Sequence, residues 1–192
     1  MTPAPAAAAK NISNATGNNL EERRDNLEHY STLRFFWLDT SAIVKLFIKE
    51  QGSDVISEVF SHRPGDNFYS TEYCIYEFFN VLKRKLTNEC FPLENYLRAI
   101  FILQSHVRSR ALKLYSFDSN YVQLFNDTRD IIRKYSLDYT DAIQFVLMKQ
   151  GFLSGLAGES KPVLVSSDKD MVKAAKSENI RTWNPEEGPF LD

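Results

Sequence analysis

An α/β fold built on a central, mostly parallel sheet is predicted by two features of the sequence. From Arg34 onward, compact apolar runs of strand length alternate with segments of helical periodicity, the pattern of parallel strands joined by helices. Carboxylates recur where those runs end, which is where an open parallel sheet holds its ligand. A chain of 192 residues, 43% hydrophobic and 13% aromatic, can bury a sizeable core, so one domain is expected.

Residues 1–19 are rich in Ala, Asn, Pro and Ser, with too little bulk to offset the entropy of ordering them. Residues 1–33 are therefore expected to form a flexible arm, in which the charges and the Leu20/Leu27 spacing permit a short helix at 20–30. The domain proper is expected over 34–183, with 184–192 as a tail. Strands are predicted at 34–38, 67–69, 112–116, 163–166 and, most weakly, 180–183. Helices are predicted at 41–48, 53–61, 71–87, 93–107, 119–135, 140–152 and 169–177. In the fourth of these, Leu93, Leu97, Ile100, Phe101 and Gln104 share one nearly apolar face, which is expected to bury itself in the core. The 14 phenylalanines are spread over nearly every element and read as core.

A net charge of −2 gives no global attraction to polyanions. Nucleic-acid contact would have to come from local clusters such as Lys83-Arg84-Lys85, Arg108/Arg110 or Arg133-Lys134, each of which also reads as a solvated helix face. Cys74 and Cys90 lack C-x-x-C spacing, so reduced thiols and a cytoplasmic setting are expected. No apolar run reaches bilayer length, and the N-terminus lacks the basic and Leu-rich regions of a signal peptide.

Four acids stand out. Asp39 and Asp168 directly follow the first and fourth strands, which are neighbours if the sheet order is 3-2-1-4-5. Glu77 falls about two turns into a helix that starts at the same sheet edge, and Asp141 in the first turn of another, where the dipole favours an anion. All four can converge on one cleft. Two carboxylates about 5 Å apart repel by roughly 3 kcal/mol at an effective dielectric near 20, so such a cluster needs a cation or retained protons. Oxygen ligands without nearby His or Cys select Mg²⁺ or Mn²⁺ over zinc, and His29, His62 and His106 are scattered. A metal held there would activate water for attack on a phosphodiester, with one carboxylate orienting that water.

The stretches LDTSAIVKLF, YEFFNVLKRK, TDAI and VSSDKDM resemble, in order and approximate spacing, the motifs of PIN-domain nucleases, especially the VapC-like ribonuclease toxins of bacterial toxin–antitoxin pairs. The resemblance covers about residues 34–183. It implies a PIN-like three-layer α/β/α sandwich and Mg²⁺- or Mn²⁺-dependent endoribonuclease activity on RNA. It also implies frequent homodimers and, for toxins, inhibition by a cognate antitoxin. Carried over by position, the family's catalytic and metal-binding acids fall on Asp39, Glu77, Asp141 and Asp168. Ser41 and Ser166 match its small hydroxyl residues. Asp138 and Asp170 flank the chosen acids: Asp138 either shares the role of Asp141 or starts the helix, and Asp170 either reaches the cleft or answers the helix dipole. The arm before Arg34 and the GFLSGLAGES stretch depart from a minimal toxin.

Each acid also has an ordinary reading. Asp39 and Asp168 suit helix N-caps, Asp141 suits a first-turn charge, and Glu77 can pair with a surface base such as Lys83. Their joint order and strand-end placement outweigh these readings. Lys45 is expected to be exposed. Ser41 stands where a haloacid-dehalogenase-like phosphatase needs its second Asp, and the paired acids of a receiver domain are missing. Phosphate-binding loops and a G-x-S-x-G elbow are absent too. The alternatives are a PIN-like module that binds RNA or protein without cutting, or a stand-alone RNA-processing nuclease.

Overall fold

The computed structural model describes residues 34–62, 66–88, 91–117 and 122–191. The expected arm at 1–33, its helix at 20–30, and Cys90 lie outside them. The described strands are β1 (Phe35–Leu38), β2 (Asn67–Thr71), β3 (Leu112–Tyr115), β4 (Val163–Val165) and β5 (Arg181–Trp183). They form one sheet in the order β3-β2-β1-β4-β5, and every neighbouring pair is parallel. The strand order is the one expected, and the weakly predicted last strand pairs Arg181–Trp183 with Val163–Val165 residue for residue.

Seven α-helices lie among the described residues: α1 (Thr40–Phe47), α2 (Ser53–His62), α3 (Glu72–Asn88), α4 (Leu93–Arg108), α5 (Val122–Tyr135), α6 (Tyr139–Gln150) and α7 (Lys169–Ser177). Strand alternation divides them into two layers. Phe36, Leu38, Val163, Val165, Phe68, Leu112 and Trp183 face the layer of α1 to α4, where Ile43, Ile56, Phe78 and Leu103 are buried. Trp37 and Leu164 face the opposite way, onto α5 to α7, with Leu124, Phe145, Val146 and Met171. The result is a three-layer α/β/α sandwich. α6 ends at Gln150, short of the expected 152: the backbone turns extended at Gly151 (ψ −178°), where a Cβ would stand 2.5 Å from the Leu147 carbonyl oxygen and 2.8 Å from the Tyr115 hydroxyl.

Two expectations are corrected. Most of the apolar face of α4 expected in the core is turned to solvent: Leu93, Leu97 and Phe101 are 58%, 56% and 69% exposed, and of its apolar members only Ile100 packs inward. The helix buries Ala99 and Leu103, with Tyr96, Ile100 and Val107 packed against the core. It carries apolar residues on two sides, and a helix on a sheet layer buries only one. Lys45, expected at the surface, is buried, and its ammonium lies 2.8 Å from both Glu50 and Glu186. Burial alone would lower its pKa, but the hydrogen bonds to Glu186 and Glu50 outweigh burial and raise it.

Of the segment 184–192, expected as a tail, the residues through Phe190 pack back on the domain. Phe190 is buried with its ring 5.2 Å from Phe36 and 5.6 Å from Trp183, and the Trp183 indole donates to the Gly188 carbonyl at 2.9 Å. Gly52, at φ +83°, admits the close passage of Pro185, whose carbonyl carbon would lie 2.8 Å from a Cβ.

Candidate active site

Where β1 and β4 end side by side, a cleft of about 540 Å³ opens at the carboxyl edge of the sheet. Asp39, Glu77, Asp141 and Asp168 all line it, as does Asp138. The structure thus gathers the four expected acids from four separate elements.

Asp39 is the most tightly held. Its backbone N–H donates to the Val165 carbonyl at 3.1 Å, which places it beside β4, and its side chain caps α1 by accepting from the Thr40 N–H at 2.5 Å. The hydroxyls of Ser41 and Ser166 donate to Oδ2 at 3.0 and 2.8 Å, so the carboxylate is only 4% exposed yet well hydrogen-bonded. Ser41 and Ser166, expected as secondary residues, therefore touch the first acid directly. Each also accepts one loop N–H: Ser167 donates to Ser41 Oγ at 2.9 Å, and Asp168 to Ser166 Oγ at 3.0 Å. These bonds lock the β4 exit loop onto the β1 exit.

Asp168 caps α7 through the Met171 N–H at 2.8 Å, and Asp138 caps α6 through the Asp141 N–H at 2.9 Å. Asp138 thus starts its helix and lines the cleft as well. Asp170 sits in the first turn of α7 and is not part of the cleft lining. Glu77 accepts the Thr40 hydroxyl at 2.7 Å. Its pKa is raised chiefly by burial; the Thr40 bond and Arg84 oppose that rise, and Asp39 and Asp138 add to it. Asp141 is pushed up to about 8, first by burial and then by the charges of Asp39, Asp138, Asp168 and Glu77. The Cys74 thiol, buried behind the cleft, is driven up to about 11 by burial and then by Asp39.

Sequence reasoning missed two supports. Thr40 ties Glu77 to the start of α1. Gln144 is fully buried one turn after Asp141 on α6, accepting from the Trp37 indole at 3.2 Å and reaching Asp39 Oδ1 at 3.5 Å. The signal for Gln144 was its position, since a polar residue three after Asp141 shares its helix face.

Among the described residues, no three His, Cys, Asp or Glu side chains stand close enough together to hold a metal ion as they are placed. Carboxylates that repel one another take the nearest N–H and O–H donors instead, and here those donors are helix N-termini and flanking hydroxyls. The donor set still suits a hard cation. It is all oxygen, and Asp138 and Asp168 each give their helix a single oxygen in the hydrogen bonds described above.

A parallel α/β/α sandwich carrying an acidic cleft at its strand ends defines the class. The PIN domain family model matches residues 36–177, well over half of the chain, and the protein belongs to the PIN domain family. No curated protein matches. Among solved structures, the chain is similar to one chain of VapBC-1 from nontypeable Haemophilus influenzae, with 12% sequence identity, 79% of this chain and 98% of that chain covered, and a TM-score of 0.47. No described helix is long and apolar enough to cross a membrane.

Proposed function

We propose that the protein is a Mg²⁺- or Mn²⁺-dependent endoribonuclease, with Asp39, Glu77, Asp141 and Asp168 as its catalytic and metal-binding residues. The observation that carries this reading is Asp141, whose pKa is pushed up to about 8 in a cleft also lined by Asp39, Glu50, Glu77, Asp138 and Asp168. Such a cleft is costly without positive charge and becomes favourable with it. When bound, a divalent ion would supply charge to the scissile phosphate and lower the pKa of the attacking water.

The chain's own residues set the stage for that chemistry. Asp39 is fixed in one orientation by two hydroxyls and a backbone N–H, and a cation would take the place of one of those donors. Glu77 has one oxygen fixed by Thr40, and its other oxygen can orient a water. Asp141, its pKa raised by burial and by the neighbouring acids, would help hold the cation as a carboxylate and could take up a proton in the cleft. Asp168 closes the cleft from the β4 side.

The role we favour is that of toxin in a type II toxin–antitoxin pair, supported by the motif resemblance to VapC-like proteins; its partner would be a cognate antitoxin. The test of the activity is cleavage of structured RNA by purified protein with Mg²⁺ or Mn²⁺, with EDTA, and with Asp39→Asn. Cleavage that disappears with EDTA and in the variant supports the site, and equal cutting by variant and wild type overturns it. A small adjacent gene encoding a DNA-binding protein is the expected mark of the toxin role.

A further inference from the structure

Resting on the nuclease reading, we propose that Arg84 and Asn88 form a subsite for a backbone phosphate of the RNA strand, beside the one that is cut. Glu77, Val81, Arg84, Lys85 and Asn88 line the cleft from α3 at intervals of a single helix face. The cleft therefore changes character along its length, from carboxylates at the sheet edge to a guanidinium, an ammonium and an amide farther along α3. Seven residues of helix separate Arg84 from Glu77, about 10 Å along the axis. That offset suits a neighbouring phosphate of an extended strand rather than the scissile phosphate itself.

Arg84 is exposed, and among the described residues it takes part in none of the ion pairs and side-chain hydrogen bonds that occupy other cations. Lys45 is held by Glu50 and Glu186, and Lys134 and Lys149 by Glu178. The fork of Arg84 is thus available to grip a phosphate through two parallel bonds. Its charge already reaches Glu77, which places it within electrostatic range of the acidic end. Lys83, its neighbour in sequence, does not line the cleft and is an ordinary solvated cation on the same helix. A free, multiply charged phosphate would be repelled by the acids next door. A single phosphodiester tethered within a chain carries less charge and is held at both ends of the cleft, which identifies the ligand as polynucleotide backbone.

The experiment is a cycle between side chain and phosphate. A single-stranded RNA of mixed sequence, with its cut mapped, is made with one neutral methylphosphonate at each position in turn. It is then presented with Mg²⁺ to wild type, Arg84→Gln and Lys83→Gln. One position near the cut is expected to lower kcat/KM about tenfold in wild type and in Lys83→Gln, but less than about twofold in Arg84→Gln, whose own loss appears in KM. No loss in Arg84→Gln, or losses that simply multiply at every position, overturns the subsite. The same cycle read as equilibrium binding by fluorescence anisotropy needs no cleavage. It decides the subsite even if the RNA is not cut, an outcome that would count against the nuclease reading alone.

Discussion

Asp141 and Glu178 are carboxylates at helix ends, yet the fold drives them in opposite directions. Glu178, at the end of α7, accepts from Lys134, Lys149 and the Tyr135 hydroxyl, and these bonds hold it at about 2. Asp141 faces four other acids and is held at about 8. The first carboxylate has its cations built into the chain; the second has been gathered with its own kind. Where folding brings like charges together, the positive charge has to come from a ligand, and that distinguishes a binding site from a structural ion pair.

The widest separation between the two regions should appear in activity. Asp39→Asn and Asp141→Asn are expected to lower RNA cleavage about a thousandfold or more, measured as single-turnover rate, while the melting temperature of Asp141→Asn stays level or rises. A clear fall in melting temperature for Asp141→Asn would show that its charge stabilises the fold, and the contrast would break. Next in size is the metal. Mg²⁺ or Mn²⁺ at a hundred times its Kd should stabilise the protein by about 2.7 kcal/mol, some 5–10 °C by calorimetry, with the gain greatly reduced in Asp141→Asn.

Lys45→Met tests a built-in cation at a buried position. It should cost about 2 kcal/mol in denaturant titration, a figure reduced from that of a fully dry ion pair because Glu50 and Glu186 remain about a third exposed. Acidity sharpens the contrast further. Asp141 binds its proton more tightly folded than unfolded, so in EDTA its contribution is complete below about pH 4 and is lost as pH rises toward 8. Glu178 binds its proton less tightly folded, so its contribution is present above about 4.5 and is lost as pH falls toward 2. Melting curves across that range, with and without Mg²⁺, should show the neutral-pH decline only without the metal. The smallest effect is Glu178→Gln, a fall of no more than about 2 °C at pH 7.

The sheet order, the strand ends and the four acids were legible because each has a local signature: an apolar run, a carboxylate just past it, and a helix start. The α4 surface was not, because periodicity finds an apolar stripe without saying which of two stripes meets the sheet. Lys45 was misjudged for a related reason. Its neutralising partners, Glu50 and Glu186, come from a following loop and from a segment more than a hundred residues away, and nothing around Lys45 announces them. Gln144 and Thr40 act through contacts to Asp39 and Glu77 that only the assembled cleft creates. Local chemistry shows in sequence; its distant partners do not.

β4 lies between β1 and β5, with the Val165 carbonyl bonded to Asp39 and Ser166 donating to the same carboxylate. In chain order this central strand comes after β1, β2, β3 and the first six helices. Without it β1 keeps an open edge, and its aspartate lacks both its neighbour strand and its serine. The carboxyl edge that carries Asp39 is therefore complete only once β4 has docked against β1.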